Sequence, residues 1–441
     1  HAGHFAAMAR DAAGQLRGER HVAALGWFDR EHDNVAAALD WLIRTNATDE
    51  ALALANSLVP YWHRSSAFQE GSAWLRRVLD LAPEQRSAPR SQALAAFGML
   101  SWPIGSAAEA RQAFEEALEI ARELGDEMAE GDALDQIAHF LTRQGDLPGA
   151  EAAVAEALAI RMALGEPGGM ARTLIRRGNI LGLRSDFSAS ERDYHQAWEL
   201  ARQAGDLPVE AIAVANLGEL AAHTGDYQRG LEFNRRSARI HELLGDFDRV
   251  AITEGNSAEL QLLLGQDAAA AELARQSVSR LRGSGNRAPL ANMLYVQGVA
   301  LAATGALRAA LAAFREAIVI DDALANPTNI IHHVEAIARL HADGGNALLA
   351  ARLLGGADAG RAALHVVDYE PFDRSGTIAR ARAALRPDEF TRAWEAGCSL
   401  SIAGLVAEAL SLGELEDGEL SRLYRLTEVA GPGNGALTER Q

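Results

Sequence analysis

Asn216 and Glu219 return 40 residues later as Asn256 and Glu259. A carboxamide both donates and accepts hydrogen bonds, so a row of amides at one phase could hold an extended peptide backbone. Other polar residues fall at matching phases: Asp132, Asp135, Gln136 and His139, then Arg172, Arg176 and Asn179, and further on Asn292, Tyr295, His332, Glu335 and Arg339. Arg172 and Arg176 stand one helical turn apart, a spacing suited to gripping a carboxylate or phosphate. These residue types point to binding.

Catalytic arrangements are missing. His332 and His333 are adjacent, so on a helix they diverge by about 100° and cannot share a metal ion. The 13 histidines include no HExxH pair. Cys398 has no matched histidine and acid, and reads as a packed thiol. Glu115 and Glu116 belong to the solvated face of a helix. All 42 basic residues are arginine, and a chain without lysine has neither a phosphate-binding P-loop nor a Schiff base. We therefore expect no catalytic residue, no metal, no cofactor and no enzymatic activity in this chain.

Groove residues need elements that present them in register, and the glycines mark those elements. From Gly145, steps of 40 residues land on Ser65, Gly105, Ser185, Gly225, Gly265, Gly305 and Gly345. The half-step finds Gly125, Gly165, Gly205, Gly245 and Gly285. A fixed period in this range is the signature of a solenoid of repeated units. Glycine at both phases suits two helix-ending turns per repeat, so the unit is a helical hairpin. Asp146, Asp206, Asp226 and Asp246 follow turn glycines and should cap the next helix.

Small residues recur seven positions before the turn (Gly98, Ala138, Gly178, Gly218, Ala258, Gly298, Ala338). They recur again twelve after it (Ala117, Ala157, Ala197, Ser237, Ser277, Ala317, Ala357). Nine after it a mostly bulky group stands, Phe114, Val154, Tyr194, Phe314 and Leu354, interrupted by Asn234 and Ala274. Small positions let helices approach, and the bulky group should fill the gap between hairpins. The pattern resembles the tetratricopeptide repeat over about residues 50 to 360, with a period longer than that family's usual one of about 34 residues.

Both ends carry a narrower resemblance. Glu31, His32, Asp33, Asn34, Ala37, Ala38, Leu39 and Trp41 are similar to the stretch that opens the repeat region of bacterial signal-transduction ATPases acting as transcription regulators. Trp62, Gly71, Trp74 and Leu75 resemble that family's first hairpin. Leu353, Leu354, Gly355, Trp394, Gly397 and Leu400 resemble its closing helices. "LTERQ", residues 437–441, looks like the opening of a LuxR-type helix-turn-helix domain, after a glycine-rich stretch read as a linker.

The expected architecture is all-α: a right-handed superhelical solenoid of about eight 40-residue hairpins with helical caps at both ends. Residues 1–48 form an N-terminal helical bridge, 49–363 the repeat array, 364–413 the closing helices, 414–436 a linker and 437–441 the start of a truncated helix-turn-helix domain. A net charge of −18 argues against wrapping nucleic acid. Without an 18-residue apolar stretch, no membrane span is expected, and a single cysteine suits a reducing, cytoplasmic setting.

The resemblance implies a non-catalytic sensor arm that binds a protein, peptide or small-molecule effector. It would relay binding to an attached ATPase, where ATP would sit, and an attached DNA-binding module. The alternative is a free-standing peptide-binding adaptor. Either way the partner would meet the concave groove, at Asp135, His139, Arg172, Arg176, Asn179, Asn216, Glu219, Asn256, Glu259, Asn292, Tyr295, His332 and Arg339.

Overall fold

Helices account for every regular element of the computed structural model, which describes residues 2–15, 21–65, 67–284, 286–364 and 374–411. The linker expected at 414–436 and the helix-turn-helix start expected at 437–441 lie outside the described residues. Two helices lead, α1 (Ala2–Gln15) and α2 (His21–Arg44). Eight hairpins follow: α3 (Thr48–Arg64) with α4 (Phe68–Leu79), α5 (Ala88–Ser101) with α6 (Ala107–Leu124), α7 (Glu127–Gln144) with α8 (Leu147–Leu164), and α9 (Pro167–Leu183) with α10 (Phe187–Ala204). Next come α11 (Leu207–His223) with α12 (Tyr227–Leu243), α13 (Phe247–Leu263) with α14 (Asp267–Ser284), α15 (Arg287–Ala303) with α16 (Leu307–Ala323), and α17 (Pro327–Asp343) with α18 (Ala347–Leu364). Three shorter helices close the described chain, α19 (Arg374–Ala383), α20 (Pro387–Cys398) and α21 (Ile402–Ser411).

Helices pack chiefly on their sequence neighbours, which is a tetratricopeptide-like helical solenoid. The chain divides into two compact units, His1–Asp246 and Phe247–Gln441.

The Gly-Asp pair is a stop and a start in one device. Gly145 closes α7 with φ of 82°, and the next amide, of Asp146, reaches back to the Leu141 carbonyl at 3.0 Å. The Asp146 carboxylate then accepts the Gly149 N–H at 3.0 Å, capping α8. Asp206 and Asp226 cap α11 and α12 in the same way, each at 3.2 Å. Ser185 adopts this left-handed conformation without glycine, at φ of 62°, whereas Ser65, at the same phase, has φ of −80° and ends α3 differently.

The bulky position fills a hole inside its own hairpin and also meets the next one, as the spacing suggests: the Phe114 ring of α6 lies 5.9 Å from the Phe140 ring of α7 between centroids. A side chain on Gly98 would come within 2.6 Å of the Phe114 ring, and one on Gly178 or Gly298 within 2.5 Å of Tyr194 or Phe314. Where the partner is Val154, Ala274 or Leu354, the facing residue is alanine: Ala138, Ala258 or Ala338. Glycine on the first helix is thus matched by an aromatic ring on the second at Gly98, Gly178 and Gly298, as close packing requires. Ala117, Ala157, Ala197, Ala317 and Ala357 are all fully buried. The Ser237 and Ser277 hydroxyls, at the same phase, donate to the carbonyls of Ala211 and Ala251, so their polarity is satisfied.

Candidate functional site

In the first unit, α7, α9 and α11 carry the anticipated polar positions, but a residue the sequence did not single out organises them. Arg161 on α8 is completely buried. It donates to Asp132, to Glu166 at 2.7 Å, and lies 3.8 Å from Asp135. The room comes from glycine: a Cβ on Gly169 or Gly131 would meet its Nε at 2.6 or 2.9 Å. The Pro-Gly-Gly start of α9 was the available signal, although it names no arginine.

This network reassigns the arginine pair. Arg172 is committed to carboxylates of the chain itself, Glu166 and Asp206, both at 3.5 Å. Arg176 makes no hydrogen bond among the described residues, and burial pushes its pKa down while Asp135 opposes the shift. The two guanidiniums therefore have different tasks. Burial raises the Asp135 carboxyl to about 6, against the Thr173 hydroxyl, which donates to it at 3.1 Å, and against Arg161. Burial and the Arg176 and Arg143 charges push His139 down to about 4, leaving a neutral ring edge-on to Trp102, with centroids 5.3 Å apart.

The amides pair partly with one another. Asn179 Oδ1 accepts from Tyr194 at 2.8 Å and from Asn216 at 3.1 Å, tying α9 to α11. Asn292 accepts from Asn329 at 2.8 Å, tying α15 to α17. Glu219 and Asn256 are exposed, and burial raises the half-buried Glu259 carboxyl to about 7. Amides whose hydrogen bonds link neighbouring repeats are partly withdrawn from any incoming backbone.

In the second unit the structure gathers Tyr295, His332 and Arg339 on one pocket of about 310 Å³. Leu262, Val299, Leu307, Phe314, Leu340 and Leu354 give it apolar walls. Its polar end is built on α17. Glu335 accepts from Arg374 at 2.9 Å and from Arg361 at 3.3 Å, while Arg374 also donates to Asp358. Asp343 takes Arg380 at 3.0 Å and has Arg339 at 3.7 Å. Arg361 and Arg374 were not anticipated, because they reach the pocket from α18 and α19 and follow no repeat phase.

The two adjacent histidines part as helix geometry requires. His332 lines the pocket, with its Nδ1 3.7 Å from Glu335, whereas His333 is buried and pairs with buried Asp321 at 2.7 Å. Burial pushes the His333 pKa down and Asp321 opposes that shift. Cys398 donates to the Gly355 carbonyl at 3.3 Å, and partial burial pushes its thiol pKa up, away from a nucleophilic thiolate. Among the described residues, no group of three or more side chains could hold a metal ion, and no helix is long and apolar enough to cross a membrane.

Residues 131–167, most of the α7–α8 hairpin, match the family model of the tetratricopeptide repeat. Proteins named as HTH-type transcriptional regulators in Mycobacterium bovis and Mycobacterium tuberculosis are 28% identical over 346 residues, 75% of this chain. The chain spans only 38% of the length of these relatives. A signal transduction ATPase with numerous domains and a tetratricopeptide repeat sensor, from Pyrococcus horikoshii, superposes with a TM-score of 0.52 at 13% identity, covering 70% of this chain and 49% of that one. That likeness is one of fold.

Proposed function

We propose that this chain is the non-catalytic sensor and scaffold arm of an ATP-dependent bacterial transcriptional regulator, with the second unit's pocket as its effector site. The pocket carries the reading. It is concave, mostly apolar and furnished with a few converging polar groups, the usual character of a small-molecule site. The similarity to regulators more than twice the length of the matched region supports a place within a larger protein. Effector binding would act by favouring one of two arrangements that the attached ATPase and DNA-binding modules distinguish. ATP belongs to the upstream module, since this chain has no lysine for a P-loop.

The adaptor reading is weaker, because Asn179, Asn216 and Asn292 already hydrogen-bond within the chain. Reading the gene on either side of the segment tests the choice. A P-loop upstream and a helix-turn-helix downstream are expected; a start codon directly before His1 and a stop directly after Gln441 overturn the regulator assignment.

A further inference from the structure

The charges around the pocket already answer one another. Three arginines and three carboxylates line it, Arg339, Arg361 and Arg374 against Asp267, Glu335 and Asp343. Glu335 accepts from Arg374 at 2.9 Å and from Arg361 at 3.3 Å. The Glu335 and Arg361 side chains are only 14% and 8% exposed, so separating them would leave a largely buried charge unpaired. Asp343 pairs with Arg380 at 3.0 Å and with Arg339 at 3.7 Å, and both Arg361 and Arg380 make further contacts. Asp267 stands in the first turn of α14, where the helix N-terminus stabilises a carboxylate without a cation. An acidic ligand would therefore have to take an arginine from Glu335 or Asp343. An ammonium would meet carboxylates already held by arginines, or one beside a helix end that repels cations.

What the lining leaves open is one polar ring among apolar walls. The His332 imidazole makes no hydrogen bond among the described residues, with its Nδ1 3.7 Å from Glu335. Val299, Phe314, Leu340 and Leu354 line the same cavity. Resting on the reading of the pocket as an effector site, we infer that its ligand is a small uncharged molecule, largely apolar, whose one hydroxyl or carbonyl group hydrogen-bonds the His332 ring. A neutral imidazole has one donor and one acceptor nitrogen, so it serves either group. A volume of 310 Å³ displaces roughly ten waters at about 30 Å³ each, which suits a medium-chain alcohol and not a folded peptide.

Calorimetric titration of the full chain with octanol, octanoate and octylamine at neutral pH tests this. Octanol should bind, and the two ions should bind at least roughly tenfold more weakly, because each leaves a polar partner in the cluster unsatisfied. His332→Phe keeps a ring and removes its nitrogens, and should weaken octanol by roughly three- to tenfold, the worth of one neutral hydrogen bond. Ala336→Phe, which fills the pocket, should abolish all binding with helicity retained. If octanoate or octylamine equals octanol, or His332→Phe binds octanol as the parent does, the inference falls while the pocket stands. If none of the three binds, or octanol binds Ala336→Phe undiminished, both the inference and the effector pocket fall. Neither result alters what the flanking gene says about the regulator.

Discussion

Gly397 and Gly355 face one another where α20 crosses α18, and the crossing allows no side chain. A Cβ on Gly397 would lie 1.9 Å from the Arg352 carbonyl oxygen and 2.9 Å from the Gly356 nitrogen. Ordinary contact begins at 3.4 Å, so Gly397→Ala falls short by about 1.5 Å against helix backbone, which cannot rotate aside as a side chain can. On an open helix this substitution would stabilise by up to about 1 kcal/mol. Here the helices must separate, loosening buried Leu353, Leu354, Phe390 and Ala393. Overpacking of this kind costs typically 1–3 kcal/mol and sometimes more, so the net loss should be about 2 kcal/mol. For a domain of 150–250 residues that lowers the melting temperature by roughly 4–8 °C. Differential scanning calorimetry of the variant beside Gly283→Ala provides the contrast, because a Cβ on Gly283 meets nothing within 4 Å. Gly283→Ala should melt at or slightly above the parent. An unchanged or raised midpoint for Gly397→Ala would refute the account of this crossing.

Asp135→Asn should make stability less dependent on pH. The folded carboxyl titrates near 6 against an ordinary 3.8, so it gains a proton on folding between about pH 4 and 6, and its contribution to stability is lost as pH rises through that window. The variant should gain up to about 3 kcal/mol over the parent above pH 6 and nothing below pH 4, as urea titrations at several pH values would reveal; a gap independent of pH would contradict this. Asp206→Ala removes the acceptor of the Val209 N–H and should cost about 1 kcal/mol in the same assay, with no change meaning that the cap contributes nothing. The purified chain should neither hydrolyse ATP nor retard duplex DNA on a gel, and clear turnover of ATP would remove the non-catalytic reading.

Sequence alone determined the period and hence the unit. The conformational freedom of glycine and the capping chemistry of aspartate act over four or five residues, so a recurring Gly-Asp marks two helix ends wherever it stands. Alanine at fixed phases likewise announces close helix packing, and the fully buried Ala117, Ala157 and Ala197 are read directly from it. The tertiary structure decided what the polar residues do. Asn216 and Asn179 lie in different repeats, and whether they bond a ligand or each other depends on a 3.1 Å distance that no spacing encodes. Arg161 became the centre of a buried network because glycines on two other helices leave it room. Tyr295, His332 and Arg339 were legible because they follow the repeat, whereas Arg361 and Arg374 complete the same pocket from helices at the array's end, where the period no longer applies. Local rules reach only as far as the hairpin; the balance of charge in a cavity is a sum over side chains from distant parts of the sequence, so it exists only after those hairpins have packed.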